Sequence, residues 1–395
     1  MATTRKASRY LVPVAVAGVA AATIGLVPAL AASGDPELPA ITAQQLIEKI
    51  AASETQTLSG TVKVETDLGL PSFAGLAGSG FLGSGADSKS PAPSTDPTEK
   101  LTELASGTHT LKVAADGPDK QRLTVLDGKD EYSLIHNGDD VWAYDSKSGE
   151  AVHEKNEDAG RPHKEREKDL PSTPKELADE VLKAAGDTTS ITVDGTARVA
   201  GRDAYQLVIK PKQSGSTVES VKIAVDAQNG VPLKFTLAAT SGGKAVVDAG
   251  FTKVDFAKPD AATFKAPKGV KVTEGEAAEH EARKEKLPKE LEGLNRGERH
   301  GKELKGGKDG GPEVIGEGWT AIATFDTGQP APETKDAPKE FQGFLDSLGD
   351  KVSGKFGSGT VFKTKLVNAL MTDDGKVYVG AVTPDALVKA ANAAK

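Results

Sequence analysis

The chain has 395 residues, with 49 Lys and Arg against 57 Asp and Glu, a formal net charge of −8. That balance offers no basic face to a phosphate backbone, and aromatics at 5% leave few stacking platforms, so no nucleic-acid partner is expected. With no cysteine, the chain has no thiolate zinc site, iron–sulfur cluster, Cys nucleophile or lipidated N-terminal Cys, and no metal or cofactor is expected.

Residues 1–31 read as a secretory signal peptide. Arg5, Lys6 and Arg9 precede an uncharged stretch, and Pro28 stands just before the small-x-small site Ala29-Leu30-Ala31. The mature chain is then expected to begin at Ala32, in an extracytoplasmic compartment, secreted or in the cell envelope. The uncharged stretch is also long enough to serve as an uncleaved N-terminal anchor.

Ile41 to Glu54 has helical spacing, with Thr42 as its N-cap. The period then changes to two, the mark of half-buried strands. Val62 and Val64 alternate with polar neighbours, as do Leu111 and Val113, then Leu123 and Val125. Trp142 and Tyr144 share one side of a strand, with Val141 and Ala143 on the other. Tyr205, Leu207 and Ile209 continue the pattern, then Val221 to Val225, then Leu233, Phe235 and Leu237. Asp127-Gly128, Asn137-Gly138, Asn229-Gly230 and Asp374-Gly375 separate strands and predict type I′ turns. Strands joined in this way form an antiparallel meander, because parallel pairs would need a helix between them. Further helices are expected at 173–185, 338–348 and 384–394. Residues 69–100, 153–172 and 274–311 read as insertions, the last two being too charged to offset the entropy of ordering.

Asn137 to Asp145, followed by Ser148-Gly149-Glu150, resembles the turn, W-x-Y-D strand and turn of the LolA/RseB-like superfamily. Gly117 to Arg122, Gly201 to Leu207, and Val221 to Asp226 with Asn229 to Leu233 are similar to other strands of that family. The resemblance covers roughly 38–270. It implies a mainly β fold, an open antiparallel half-barrel with helices packed on the concave face. It also implies an apolar cavity for lipid acyl chains or a lipoprotein, working without catalysis. The expected organisation is a half-barrel at 32–270, a charged insertion at 271–311, and strands and helices at 312–395. That last segment either completes the sheet or forms a small lobe. The alternative function is an envelope sensor of the RseB/MucB type, acting on a membrane-bound anti-sigma factor. An enzyme ranks below both.

The expected cavity lining follows from the alternation. On strands it comprises Val62, Val64, Leu111, Val113, Leu123, Val125, Trp142, Tyr144, Leu207, Ile209, Phe235 and Leu237. On helices it comprises Leu46, Ile50, Leu177, Val181, Phe341 and Phe344. For Trp142 and Tyr144, plain core packing is the competing reading. Leu70, Phe73, Leu76, Phe81 and Leu82 form an apolar stretch inside the first insertion. They are either a loose linker or a flap at the cavity mouth that touches lipid or membrane. Gly78-Ser79-Gly80-Phe81-Leu82-Gly83 matches G-x-G-x-x-G but lacks the flanking strand and helix of a dinucleotide site. No G-x-S-x-G elbow or P-loop occurs. His153, with His163, His280 and His300, falls in charged segments and reads as a solvated surface histidine.

Overall fold

A computed structural model describes residues 35–69, 104, 106–155, 174–274, 313–326 and 349–394. Residues 1–31, the apolar stretch 70–82 and the helix expected at 338–348 lie outside the described residues.

The first helix, α1 (Ala43–Ala51), starts where the sequence places it. Thr42 accepts from the Gln45 backbone N–H at 3.2 Å, and the Thr42 backbone N–H donates to Gln45 Oε1 at 2.8 Å, a closed capping box. Six strands follow: β1 (Thr57–Thr66), β2 (Gly107–Asp116), β3 (Lys120–Asp127), β4 (Asp130–Asn137), β5 (Asp140–Asp145) and β6 (Glu150–Lys155). Helix α2 (Pro174–Ala185) leads into β7 (Thr189–Val199), β8 (Arg202–Pro211), β9 (Val218–Asp226), β10 (Pro232–Ala239), β11 (Val247–Asp255) and the short β12 (Lys271–Glu274). These make one open sheet of twelve strands in the order β12-β6-β5-β4-β3-β2-β1-β11-β10-β9-β8-β7. Every pairing is antiparallel except β12 on β6, which is parallel. Two expectations change here. Strand β12 carries the sheet beyond residue 270, and β6 occupies the start of the segment that charge alone marks as a loop.

The turns also differ from expectation. In the pairs Asp127↔Asp130 and Asn137↔Asp140, the central residues are Gly128-Lys129 and Gly138-Asp139. Only the glycines have positive φ, so these are not type I′ turns, which require it at both positions. Between β7 and β8, Ala200-Gly201 does have both residues at positive φ, at 51° and 79°.

The remaining strands form a separate sheet. It comprises β13 (Glu313–Ile315), β14 (Ile322–Asp326), β15 (Gly349–Gly354), β16 (Gly357–Phe362), β17 (Asn368–Thr372) and β18 (Lys376–Gly380), in the order β13-β14-β18-β17-β16-β15. Helix α3 (Pro384–Ala393) packs on it, and Ile322, Phe356, Val361, Leu370, Tyr378, Val382 and Leu387 form its core. The two sheets touch along a polar seam. The Thr217 N–H donates to Ala381 O at 3.0 Å, and the Thr383 N–H donates to Gly215 O at 2.8 Å. Trp319 Nε1 donates to Thr189 Oγ1 at 2.7 Å. Lys365 pairs with Asp67 at 2.6 Å and holds its carboxyl below the usual range.

Candidate functional site

Cross-strand register sorts the sheet into two faces. Along one row run Val64, Ala249, Phe235, Ile223, Leu207 and Val193, each paired with the next. On the same face, because β1 alternates, Val62 pairs with Leu111, Leu111 with Val125, and Val125 with Tyr132. This is the inner face. Its β8–β9 part is closed by the helices: Leu46 and Ile47 of α1 and Ala178 of α2 bury against Tyr205, Leu207, Ile209, Val221 and Ile223. Ile50, Val181, Phe235 and Leu237 pack around them half-buried. Leu177 lies on α2.

Over β2 to β6 the inner face is less covered. Val113, Leu123, Leu134, Ala143 and Val152 pair in sequence across five strands. All five are half-buried. This apolar strip of the inner face lies next to the closed row of Val62, Leu111, Val125 and Tyr132. Burial at Val62, Leu46 and Leu207 is complete or nearly so, at 0%, 0% and 1% exposure, so those side chains act as packing. The strip is the incompletely buried apolar part of this face.

Trp142 and Tyr144 are not on this face. Trp142 pairs with Ile135, which pairs with Arg122, and Tyr144 pairs with Ser133, which pairs with Thr124. That is the outer face, opposite Leu123 and Val125, and Ile135 on it is buried. The two aromatics share a side, as their spacing requires, but Ala143 between them is the residue that looks inward. Phe341 and Phe344 lie outside the described residues, as do Leu70, Phe73, Leu76, Phe81 and Leu82. The root of that apolar stretch is fixed, since the Lys365 N–H donates to Leu68 O at 2.9 Å. Leu134 and Val152 escape sequence reasoning. In Tyr132-Ser133-Leu134-Ile135 both faces are buried, so no alternation shows, and Val152 sits beside charged residues. Counting register from the turns would have placed both.

On the outer face a cleft of about 460 Å³ is lined by Thr61, Lys112, Arg122, Thr124, Glu131 and Lys253, among others. Arg122 is already engaged there. It donates to Thr124 Oγ1 at 3.1 Å, Ser133 Oγ at 3.1 Å and Thr263 O at 3.2 Å. His153 is also on this face and is buried, contrary to the solvated reading. Its ring stacks on Trp142 with centroids 4.0 Å apart.

One ionic pair ties the segments that carry the family resemblance. Arg202 forks onto Asp226, with Nε and Nη2 on its two oxygens, and the guanidinium lies 4.9 Å above the Phe256 ring. Burial pushes the Asp226 carboxyl up. The Arg202 hydrogen bonds and the N–H groups of Asn229 and Gln228 outweigh it and hold the carboxyl below the usual range.

Among the described residues, no three His, Asp or Glu side chains converge as metal ligands. No described helix is long and apolar enough to cross a membrane. The model of the MucB/RseB N-terminal domain matches residues 103–282. No curated protein matches the chain. Solved structures that align with it include the Pseudomonas aeruginosa MucA/MucB complex, at 15% identity and a TM-score of 0.37, over 88% of this chain and 96% of that one. An uncharacterized conserved protein from Thermus thermophilus aligns at 12% identity and 0.31, over 59% and 99%. A LolA superfamily protein from Nitrosomonas europaea aligns at 10% identity and 0.21, over 57% and 99%. Over residues 103–282, a little under half of its length, the chain is thus similar to the MucB/RseB N-terminal domain.

Proposed function

We propose that this protein is an exported, non-catalytic binding protein that holds acyl chains of a lipid or lipoprotein on the inner face of its sheet. The observation that carries the reading is the half-buried strip Val113–Leu123–Leu134–Ala143–Val152, continuous across five strands. An acyl chain gains about 0.8 kcal/mol per CH₂ when it leaves water, and a bilayer offers nearly the same. A strip that is only half covered therefore suits exchange with a membrane: it shelters the chain without needing to outbid the bilayer. The apolar stretch Leu70, Phe73, Leu76, Phe81 and Leu82 would close over it as a flap, and residues 1–31 would direct export. The half-barrel at 32–270 would be the binding domain and 312–395 a companion lobe.

Native mass spectrometry of the purified protein, with solvent extraction of any adduct, tests this. A bound lipid, or uptake of a fluorescent fatty acid by stripped protein, is expected. Failure of both would end the reading. The matched family model is MucB/RseB rather than a carrier family, which favours a second reading: an envelope sensor whose lipid state is passed to a membrane-bound partner. A sigma or anti-sigma gene beside this one would favour the sensor over the carrier.

A further inference from the structure

After β11 the chain crosses to the far edge of the sheet along the outer face. Lys258 reaches back to Asp116 at 3.2 Å. Arg122 holds Thr263 O, and Phe264 is buried at 1% exposure beside β3 and β4. The crossing ends in β12, which lies parallel on β6. All four residues of β12 are exposed, Val272 at 45%. A four-residue edge strand that buries no side chain has little beyond its backbone ladder to hold it. Two side-chain fasteners supply the rest. Lys271 pairs with Glu150 at 2.6 Å, and Glu274 Oε2 lies 2.7 Å from His153 Nδ1.

His153 has a second carboxylate. Asp140 Oδ1 lies 2.8 Å from its Nε2. A carboxylate only accepts, and a neutral imidazole has one N–H, so satisfying both contacts takes a proton on each ring nitrogen. Trp142 stacked on the ring excludes water from one side of it. The charged groups facing His153 are Asp140 from β5 and Glu274 from β12, and on its own strand Lys155 stands opposite Asp140.

We propose that His153 is a proton-dependent latch for β12: doubly protonated, it fastens the end of the outer strap to the sheet, and on losing a proton it releases β12 and bares the edge of β6. A bared edge presents unpaired backbone groups to which another strand can add. Acid favours the latched form and base the released one, because only the doubly protonated ring donates to both carboxylates.

Amide hydrogen exchange on the full chain, at about pH 5.5 and about pH 8 and corrected for intrinsic rate, reads this. Protection of residues 271–274 should drop by about tenfold between the two, the scale of one charge-assisted hydrogen bond, while β9 stays unchanged. His153→Gln should lower protection of β12 at both pH values and remove the pH dependence. If that variant does not fold, Glu274→Gln, on an exposed carboxylate, serves instead and should shrink the pH dependence. Protection of β12 that is equal at both pH values in the native protein, or a pH dependence that survives either variant undiminished, overturns the latch.

Discussion

At the scale of single residues, the Arg202–Asp226 pair makes the sharpest prediction. Asp226 is 1% exposed, so Arg202→Ala strands a buried carboxylate and should cost on the order of 3 kcal/mol in chemical denaturation. The sign with pH follows from the lowered carboxyl. Its stabilisation is present above the unfolded carboxylate's value, about pH 4, and is lost as pH falls through the folded one. Denaturation midpoints should therefore fall more steeply below about pH 4 in the native protein than in Asp226→Asn. Ala200 makes the opposite case. An alanine at φ 51° is strained, and Ala200→Asn should raise stability by about 1 kcal/mol. Neither feature is legible in the sequence. Arg202 and Asp226 are 24 residues apart and meet only through the β8–β9 register, and Ala-Gly carries none of the signal by which Asn-Gly announces a turn.

Among the elements, helix α1 and its packing follow from spacing and a cap that local sequence already encodes, and so does the alternation in β1, β2 and β3. What local sequence does not encode is which of two faces a strand turns inward when both carry apolar groups. Size alone favours Trp142 and Tyr144 as the inward pair, whereas pairing through β4 sets Ala143 inward. The burial of His153 is hidden from the sequence because its partners come from Asp140 and, across a long separation, Glu274. The Asn229-Gly230 turn shows the reverse, a local signal with a tertiary reason. A Cβ on Gly230 would stand 2.4 Å from Lys49 O at the end of α1, on backbone already at φ +75°. Gly230→Ala should thus push the turn off the helix and lower the denaturation midpoint, where Gly149→Ala, with open space around it, costs only the backbone strain.

For the whole molecule, the strand-and-turn pattern is enough to give an open antiparallel sheet, but not the division of labour along it. The helices close the β8–β9 part of the inner face, the β2–β6 part stays half covered, and a second sheet docks through polar contacts at Thr217, Thr383 and Lys365. Ligand binding is therefore expected on one face and one half of the sheet. Titration with a fluorescent fatty acid tests that placement directly, comparing native protein with Val113→Gln and Leu123→Gln on the inner strip and Tyr144→Gln on the outer face. The inner substitutions should weaken binding by about tenfold or more, as a polar amide replaces apolar contact, and the outer one should leave it unchanged. Saturable binding that survives both inner substitutions, or that is lost only with Tyr144→Gln, would contradict it.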